Sequence, residues 1–219
     1  MGKQAKIALA GGGAAEDSRL LDELFASWIG PRGRLLYLPI ALRGIRSFES
    51  CLEWITTTFA PFAIHRITMW TDMAGHHASE LEEFDAVYIG GGNTYSLLGE
   101  LIDSGFDRHL HVYANRGGIV YGGSAGAVVL GKDIRTISDM DRNEIALTEV
   151  NCLNLAEDHS VYPHYAPRGD QFIEAFVQTY QRPVLAIPER SGVVIESGRM
   201  RSVGFEPSYR FDHQGKCEV

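Results

Sequence analysis

The sequence predicts a single α/β domain whose mostly parallel sheet is doubly wound, with helices on both faces. Apolar runs of strand length alternate with segments of helical periodicity, the runs are apolar throughout, and three of them end in glycine-rich turns. Strands that are apolar on both sides are usually covered by helices on both faces, and strands separated by helices pair in parallel. Their carboxyl ends then form the crevice in which such folds bind ligands.

The first part of the chain alternates strands with amphipathic helices. Leu21, Leu24 and Phe25 fall on one face of the first helix, and Gly30 and Pro31 end it. The same criteria predict strands at Lys6–Ala10, Arg34–Ala41, Ala63–Trp70, Asp85–Gly92 and Gly118–Gly123, and helices at Asp17–Ile29, Ser47–Ala60, Asn93–Ser104 and Phe106–Asn115.

The last third of the chain is organised differently. Residues 133–158 are polar and irregular, and two C-terminal β-hairpins are predicted at Gly192–Gly204 and Tyr209–Cys217. Between these regions we predict a strand at Ser160–Tyr165, a helix at Arg168–Tyr180 and a strand at Val184–Pro188. No repeat, low-complexity tract or linker interrupts the sequence, so residues 1–219 are predicted to form one domain.

Composition and charge exclude several classes of protein. Of the 219 residues, 45% are hydrophobic and 22% charged, as in a soluble globular domain. The net charge of −8, without a Lys/Arg cluster, disfavours nucleic-acid and membrane partners. Three widely spaced cysteines argue against a disulfide scaffold or a zinc site. Because no apolar stretch approaches the ~18 residues of a membrane span or resembles a signal peptide, we expect a cytoplasmic protein.

The stretch Gly118–Gly131, GIVYGGSAGAVVLG, is the most informative part of the sequence. It places Ser124 in a G-x-S-x-G pattern directly after a predicted strand and before small, helix-compatible residues. This is the context of a nucleophile elbow, where a tight turn lifts the serine above the sheet and free N–H groups stabilise an oxyanion. The alternative is a glycine-rich turn that only packs closely or binds a phosphate.

A nucleophilic serine needs a base and a group that orients the base. Of the eight histidines, His164 ends a short apolar strand just before a loop, from which its ring can face the crevice. A carboxylate between Ser124 and His164 would complete a triad, although their interval of 40 residues disfavours a standard α/β-hydrolase. The residues alone do not choose among Asp133, Asp139, Asp141, Glu144, Glu149, Glu157 and Asp158.

Two further glycine runs follow predicted strands. Gly91 and Gly92 can bring backbone N–H groups close to a ligand, and Asn93 can cap the helix that follows. This turn would supply a second oxyanion donor, or it is simply a tight turn. The earlier run Gly11–Gly13 lacks the third glycine of G-x-G-x-x-G, and the second strand does not end in an acidic residue, so no dinucleotide cofactor is expected.

Several segments are distinctive as an ordered set. They are GGGNTYSLL (Gly90–Leu98), GGSAGAVVLG (Gly122–Gly131), IRTISDM (Ile134–Met140), VYPHY (Val161–Tyr165) and IPERSGVVIE (Ile187–Glu196). Together they resemble the peptidase E and cyanophycinase family of serine peptidases, and peptidase E, an α-aspartyl dipeptidase, most of all. The resemblance implies a fold like that of the class I glutamine amidotransferases, with serine in place of their cysteine, and a reaction that needs no metal or organic cofactor.

The resemblance also implies a catalytic triad. Ser124 would attack the scissile carbonyl, His164 would accept its proton, and Asp139 would hold the imidazole in the required tautomer. The cyanophycinase branch prefers a glutamate at a slightly later position, where Glu144 is the nearest match.

The remaining site residues follow from the same resemblance. The N–H groups of Ala125 and of Gly91 or Gly92 would hold the oxyanion, and Asn93 and Arg168 would contact the substrate. Arg168 would pair with a substrate carboxylate, or else lie in the first turn of a helix and point to solvent.

We therefore expect a serine exopeptidase or dipeptidase that hydrolyses short, acidic peptides through an acyl-enzyme. A β-aspartyl peptidase or an esterase with the same triad is an alternative, and a non-catalytic protein that binds a small molecule is another. The expected partner is a small peptide. Exposed apolar hairpins that can pair between two chains also allow a homodimer.

Overall fold

The computed structural model describes residues 4–219, which form two β-sheets with helices packed around them. The strands of the larger sheet are β1 (Lys6–Ala10), β2 (Arg34–Leu38), β3 (Arg66–Met69), β4 (Ala86–Ile89), β5 (Ile119–Gly123), β8 (Ser191–Glu196) and β9 (Arg199–Gly204). Their order is β3-β2-β4-β5-β1-β8-β9. The first five strands pair in parallel, and β8 and β9 form an antiparallel hairpin at one edge.

The smaller sheet lies in the C-terminal part of the chain. Its strands are β6 (Ser160–Tyr162), β7 (Val184–Ala186), β10 (Tyr209–Asp212) and β11 (Gly215–Glu218), in the order β11-β10-β7-β6. Only β6 and β7 are parallel to each other. The residues that follow these two strands therefore emerge side by side, at the same edge of the small sheet.

Helices cover both faces of the larger sheet. They are α1 (Ala15–Ile29), α2 (Phe48–Phe59), α3 (Ala78–Leu81), α4 (Thr94–Ser104), α5 (Phe106–Asn115) and α6 (Ala125–Leu130), whereas α7 (Asp170–Tyr180) packs on the smaller sheet. Helices α1 and α2 pack on one face around Phe25 and Phe59, whereas α4, α5 and α6 bury Leu97, Leu110 and Val128 on the other. Among the helices of residues 4–219, none is long and apolar enough to cross a membrane.

The doubly wound α/β fold is the one that the sequence predicts, and its differences from the prediction have local causes. The second strand ends at Leu38 because Pro39 has no N–H to donate, and a single 3₁₀ turn at Ile40–Leu42 follows. The strand predicted at Ser160–Tyr165 stops at Tyr162, just before a proline. Both C-terminal hairpins form, but the first extends the larger sheet and the second extends the smaller one.

The polar segment 133–158 is anchored by a buried carboxylate. Asp133 is fully buried, and its Oδ2 atom accepts a hydrogen bond of 2.6 Å from Arg182. Arg135 donates through Nε to both oxygens of Asp133, at 2.9 and 3.0 Å. A buried carboxylate is retained where cations and hydrogen bonds surround it, as these two arginines do. These contacts of Asp133 hold the start of segment 133–158 in place, and this segment borders the cavity described below.

Candidate active site

Ser124 lies at the junction between β5 and α6, in the middle of the larger sheet. Strand β5 is flanked by β4 and β1, and each of these strands is followed by a glycine run. The backbone of Ser124 has φ 49° and ψ −110°, a conformation that L-residues adopt only under constraint. The Ser124 N–H donates to the carbonyl of Ala10 at 3.2 Å, which ties the turn to β1.

His164 reaches the serine from the smaller sheet. It follows β6, has φ 51°, and its N–H donates to the carbonyl of Gly11 at 2.8 Å. Its Nε2 atom lies 2.8 Å from the Ser124 Oγ. The structure thus brings together the serine and the histidine that the sequence predicts, at the distance over which a base accepts a hydroxyl proton.

The carboxylate beside the histidine is Glu189. Its Oε1 atom lies 2.9 Å from Nδ1 of His164, and both side chains are partly exposed, at 58% for Glu189 and 38% for His164. Glu189 follows β7 as His164 follows β6, so the parallel pairing of these strands sets the two residues side by side. The result is a continuous hydrogen-bonded chain from Ser124 through His164 to Glu189.

Asp139, predicted as the orienting acid, does not lie against the histidine in the structure. Its Oδ2 atom instead accepts a hydrogen bond of 3.3 Å from the Tyr162 hydroxyl. Burial, together with the negative charge of Asp139, raises the pKa of Tyr162 to about 12, so this hydroxyl keeps its proton and donates it. Glu144, the alternative acid, is solvent-exposed. Glu189, and not Asp139 or Glu144, occupies the position beside Nδ1 of His164. The structure thus corrects the predicted position of the acid.

Gly12 closes the space between the serine and the histidine. Its φ of 100° favours glycine, and a Cβ atom there would lie 2.4 Å from Cε1 of His164 and 2.9 Å from Cβ of Ser124. The glycine run after β1 is therefore part of the site, a role that the sequence did not reveal. The signal that could have shown it is the pairing of β1 with β5, which places the two turns next to each other.

The predicted oxyanion donors also lie beside the serine. A Cβ atom on Gly91 would be 3.2 Å from Cβ of Ser124, so the backbone of this turn approaches the nucleophile closely. Among residues 4–219, no acceptor engages the N–H groups of Gly91 and Gly92. Ala125 is the first residue of α6, and the first N–H of a helix has no acceptor within the helix. These groups are therefore available to a negatively charged oxygen.

A cavity of about 870 Å³ opens in front of Ser124 and His164. Arg168 and Arg46 both line it, and in the part of the chain that the structure describes neither arginine pairs with a carboxylate. Arg168 belongs to the single 3₁₀ turn Pro167–Gly169, just before α7, and it is exposed. Asp139 and Asp141 also line the cavity, but each accepts a hydrogen bond from the protein, from the Tyr162 hydroxyl and the Thr94 N–H respectively. The two arginines have no such partner, and they favour a ligand that carries a carboxylate.

Asn93 does not line this cavity. Its Oδ1 accepts the N–H of Ser96 at 2.9 Å, which caps α4, and its Nδ2 donates to the carbonyl of Arg142 at 3.0 Å. Both functional groups of the amide are thus engaged within the protein. The structure gives Asn93 the capping role that the sequence allows, and not the predicted contact with substrate.

A buried carboxylate, Asp22, lies behind the wall of the cavity. It is 1% exposed and accepts hydrogen bonds from Oγ of Ser18 at 2.7 Å and from the hydroxyl of Tyr121 at 2.8 Å. Burial raises the pKa of Asp22 to about 6, although both hydrogen bonds act in the opposite direction. Ser18 and Tyr121 themselves line the cavity.

We expect Asp22 to make the protein less stable as pH rises. Between pH 4 and pH 6 the folded protein keeps a proton on Asp22 that the unfolded chain, with a pKa near 3.8, has lost. The free energy of unfolding therefore falls through this window, by on the order of 3 kcal/mol from this group. Asp22→Asn should remove this contribution, so that its free energy of unfolding rises relative to wild type between pH 4 and 7.5. Urea unfolding of both proteins at several pH values measures the difference, and a gap that stays constant with pH would contradict the assignment.

Metal-binding side chains do not cluster at this site or elsewhere in the described part of the chain. Within residues 4–219, three or more His, Cys, Asp or Glu side chains nowhere converge as a metal would require. The three cysteines are free thiols, and only Cys51 lines the cavity.

The fold and the site together define a class of enzyme. A serine that is hydrogen-bonded to a histidine, itself hydrogen-bonded to a carboxylate, is the arrangement of hydrolases with a serine nucleophile. The model of peptidase family S51 matches residues 7–203, and the chain belongs to this family of serine peptidases. The resemblance to peptidase E seen in the sequence is thereby confirmed.

Individual relatives agree with this assignment. The chain is 32% identical over 143 residues to the uncharacterized peptidase Lmo0363 of Listeria monocytogenes, covering 54% of this chain and 69% of that protein. It is 32% identical over 136 residues to peptidase E of Streptomyces coelicolor, covering 57% of this chain and 54% of that protein. The crystal structure of a peptidase from an acI-B1 actinobacterium superposes with a TM-score of 0.75 at 18% identity, covering 99% of this chain and 94% of that one, which shows a shared fold.

Proposed function

We propose that this serine peptidase is an exopeptidase that releases one residue from short, acidic peptides. The observation that carries the proposal is the hydrogen-bonded chain of Ser124, His164 and Glu189, which faces a cavity bordered by two free arginines. Peptidase family membership supplies the reaction, the hydrolysis of a peptide bond, and the cavity supplies the chemistry of the substrate.

The proposed reaction begins at Ser124. Oγ attacks the scissile carbonyl carbon while Nε2 of His164, 2.8 Å away, accepts the hydroxyl proton. Nε2 can accept this proton only if Nδ1 carries the ring hydrogen, and the carboxylate of Glu189 favours that tautomer by accepting the hydrogen bond from Nδ1. Glu189 also stabilises the imidazolium that forms.

The negative charge then develops on the carbonyl oxygen. The N–H groups of Ala125 and of Gly91 or Gly92 are the donors that we assign to this oxyanion, and removing one such donor typically costs about 10²- to 10³-fold in rate. The imidazolium of His164 next protonates the leaving amine, and the peptide bond breaks to leave an acyl ester on Ser124. Water activated by His164 hydrolyses the ester and regenerates the serine.

The substrate class follows from the charges around the cavity. Arg168 stands near Tyr162 and Asp139 at one end of the wall, and its guanidinium can bind a carboxylate in a bidentate manner. Arg46 precedes α2 and is exposed on another part of the wall. We assign the acidic side chain of the substrate to Arg168 and leave Arg46 for a second carboxylate, such as the C-terminus of a short peptide.

A cleavage panel tests the proposed function. Asp-X, X-Asp, β-Asp-X and neutral dipeptides, with tripeptides, would be incubated with wild type and with Ser124→Ala, and the products identified by mass spectrometry. Cleavage of Asp-X by wild type alone is the expected result. Cleavage confined to β-Asp-X would assign the enzyme to the β-aspartyl peptidases instead, and cleavage of none of these peptides would contradict the proposal.

Arg168→Ala is expected to weaken selection for acidic peptides specifically. The ratio of kcat/KM for Asp-X over Ala-X should fall by about 10- to 100-fold, because one charge-assisted hydrogen-bonding pair is lost. The value of kcat/KM for Ala-X should change little. Arg199→Ala, which removes the same charge from edge strand β9, is the matched control. An unchanged ratio in Arg168→Ala would exclude Arg168 from substrate recognition.

A further inference from the structure

One part of the cavity wall has a chemistry that the proposed function uses only in part. Leu42, Arg46, Ser50 and Trp54 line this part, and each of the four is at least partly exposed. We refer to these four residues as the tryptophan wall. Arg46, Ser50 and Trp54 are spaced four residues apart, so they follow one side of α2 and of the turn that leads into it. The wall thus combines two apolar side chains with one cation.

Trp54 is held in place by other aromatic rings and is still open to solvent. Its ring centroid lies 6.0 Å from that of Tyr88, nearly edge-on, and 6.3 Å from that of Tyr37. Tyr37 and Tyr88 are themselves buried, so they support the indole from behind. Trp54 nevertheless remains 37% exposed. An apolar ligand group that covers the open part of the indole is stabilised because apolar surface leaves water.

The wall begins beside the glycine turn that follows β4. A Cβ atom on Gly91 would lie 3.2 Å from Cβ of Ser124, so this end of the turn faces the nucleophile. The next residue, Gly92, packs so closely on Ala41 that a Cβ atom there would lie 2.1 Å from the Ala41 carbonyl oxygen. Leu42 follows Ala41 directly. Leu42 is therefore separated from Ser124 only by the thickness of the glycine turn.

Trp54 is separated from the turn of Ser124 by a single ring. A Cβ atom on Gly123, the residue before Ser124, would lie 3.2 Å from the hydroxyl of Tyr88, and the Trp54 ring packs against the ring of the same tyrosine. One peptide residue spans about 3.5 Å along the chain, and a long side chain extends further from it. A phenylalanine or leucine next to the scissile carbonyl is thus long enough to contact the wall, whereas an alanine is too short.

Arg46 determines which residue of a peptide suits the wall. No carboxylate pairs with Arg46 in residues 4–219. Burial raises the pKa of the Cys51 thiol and the positive charge of Arg46 acts in the opposite direction, so the guanidinium lies near Cys51, less than one helical turn from Trp54. The C-terminal residue of a peptide carries a carboxylate and a side chain on one carbon atom. It can therefore pair with Arg46 while an apolar side chain packs on the indole.

We infer that the tryptophan wall binds the C-terminal residue of the peptide substrate and selects an apolar side chain at that position. The inference rests on the proposed function, which assigns the acidic side chain to Arg168 and a C-terminal carboxylate to Arg46. Among dipeptides, aspartyl-phenylalanine and aspartyl-leucine are then favoured over aspartyl-alanine and aspartyl-glutamine. Trp54 is a specificity-determining residue that contacts the substrate and takes no part in proton transfer.

Matched dipeptides measure this selection. Aspartyl-phenylalanine and aspartyl-alanine differ only in the apolar side chain, and phenylalanyl-aspartate and alanyl-aspartate place the same difference at the amino terminus. Dissociation constants would be measured by calorimetry on Ser124→Ala, which binds without turnover, and on Ser124→Ala/Trp54→Ala. We expect aspartyl-phenylalanine to bind about 10- to 100-fold tighter than aspartyl-alanine to Ser124→Ala, and this ratio to fall below about threefold with Trp54→Ala. The reversed pair should differ by less than about threefold in both proteins.

Two further variants in the Ser124→Ala background separate contact with the substrate from effects on folding. Leu52→Ala shortens a side chain of α2 that is also 37% exposed but does not line the cavity, and it should leave the ratio unchanged. Trp54→Phe keeps an aromatic ring and should retain most of the ratio.

Four results would overturn the inference. They are equal binding of aspartyl-phenylalanine and aspartyl-alanine, a ratio that survives Trp54→Ala, a preference seen only in the reversed pair, and no binding of any of the four peptides. Because the readout is affinity, a failure of wild type to hydrolyse peptides would count against the proposed function alone.

Discussion

Ser124→Ala is expected to lower kcat on the best substrate of the cleavage panel by on the order of 10⁵- to 10⁶-fold. In the proposed mechanism the hydroxyl forms the acyl-enzyme, and in a well-studied serine protease the loss of the nucleophile costs about as much as the loss of the whole triad. The substitution removes one oxygen and keeps the Cβ atom that packs against Gly12 and Gly91. KM should therefore change little, and steady-state kinetics with purified wild type and variant measure both constants.

Covalent labelling tests whether Ser124 is the nucleophile, independently of the kinetics. A fluorophosphonate should label wild type at Ser124 and leave Ser124→Ala unlabelled. Ser27→Ala is the matched control, because Ser27 is an exposed serine of α1 whose hydroxyl only bonds the carbonyl of Leu24. Labelling of Ser124→Ala, or a rate within tenfold of wild type, would show that another residue is the nucleophile.

The contact between Ser124 and His164 could be predicted because the sequence signals of both residues are local. Ser124 lies in a pattern in which strand, tight turn and helix follow one another directly in the sequence, and each part constrains its neighbours. His164 follows a short apolar strand and lies between Pro163 and Pro167. Segments in which strand pattern, turn residues and helix pattern agree are also those whose boundaries match the structure within a few residues.

The orienting carboxylate could not be predicted in the same way. The sequence argument searched between Ser124 and His164, because it took the order serine, acid, histidine from enzymes in which the acid precedes the histidine. Glu189 follows His164 in the chain, and it reaches the ring because β7 pairs in parallel with β6. Strand pairing is a non-local property, and single-sequence patterns carry little information about it.

Non-local pairing also explains what was missed in the fold. Strands at Ser160–Tyr165 and Val184–Pro188 and a hairpin at Tyr209–Cys217 were predicted, but their assembly into a separate four-stranded sheet depends on β7 pairing with β10. The role of Gly12 has the same origin, because it arises from the pairing of β1 with β5 and from the contact between the two sheets at Gly11. Residues at the junction of two sheets are thus the part of the site that the sequence specifies least directly.

Glu189→Gln is expected to lower kcat by about 10²- to 10⁴-fold, whereas Asp139→Asn should change kcat by less than about threefold. The amide nitrogen of glutamine can donate to Nδ1 of His164, which favours the tautomer with hydrogen on Nε2, and that tautomer cannot accept the proton of Ser124. Glu189 is more than half exposed, so water can partly replace it, and the loss should be smaller than for Ser124→Ala. Steady-state kinetics on one peptide compare the two variants directly.

Glu189 and Asp139 can be distinguished in this way because both lie near strand β6, which precedes His164, and only Glu189 contacts the histidine ring. Glu189→Asp, which keeps the charge on a shorter side chain, should recover part of the activity that Glu189→Gln loses, since a carboxylate can again accept from Nδ1 directly or through water. A large loss in Asp139→Asn with normal activity in Glu189→Gln would restore Asp139 as the orienting acid, and would require the loop that carries it to move towards His164 when substrate binds. Comparable large losses in both variants would mean that Asp139 acts on kcat through Tyr162, whose hydroxyl it holds two residues from the catalytic ring.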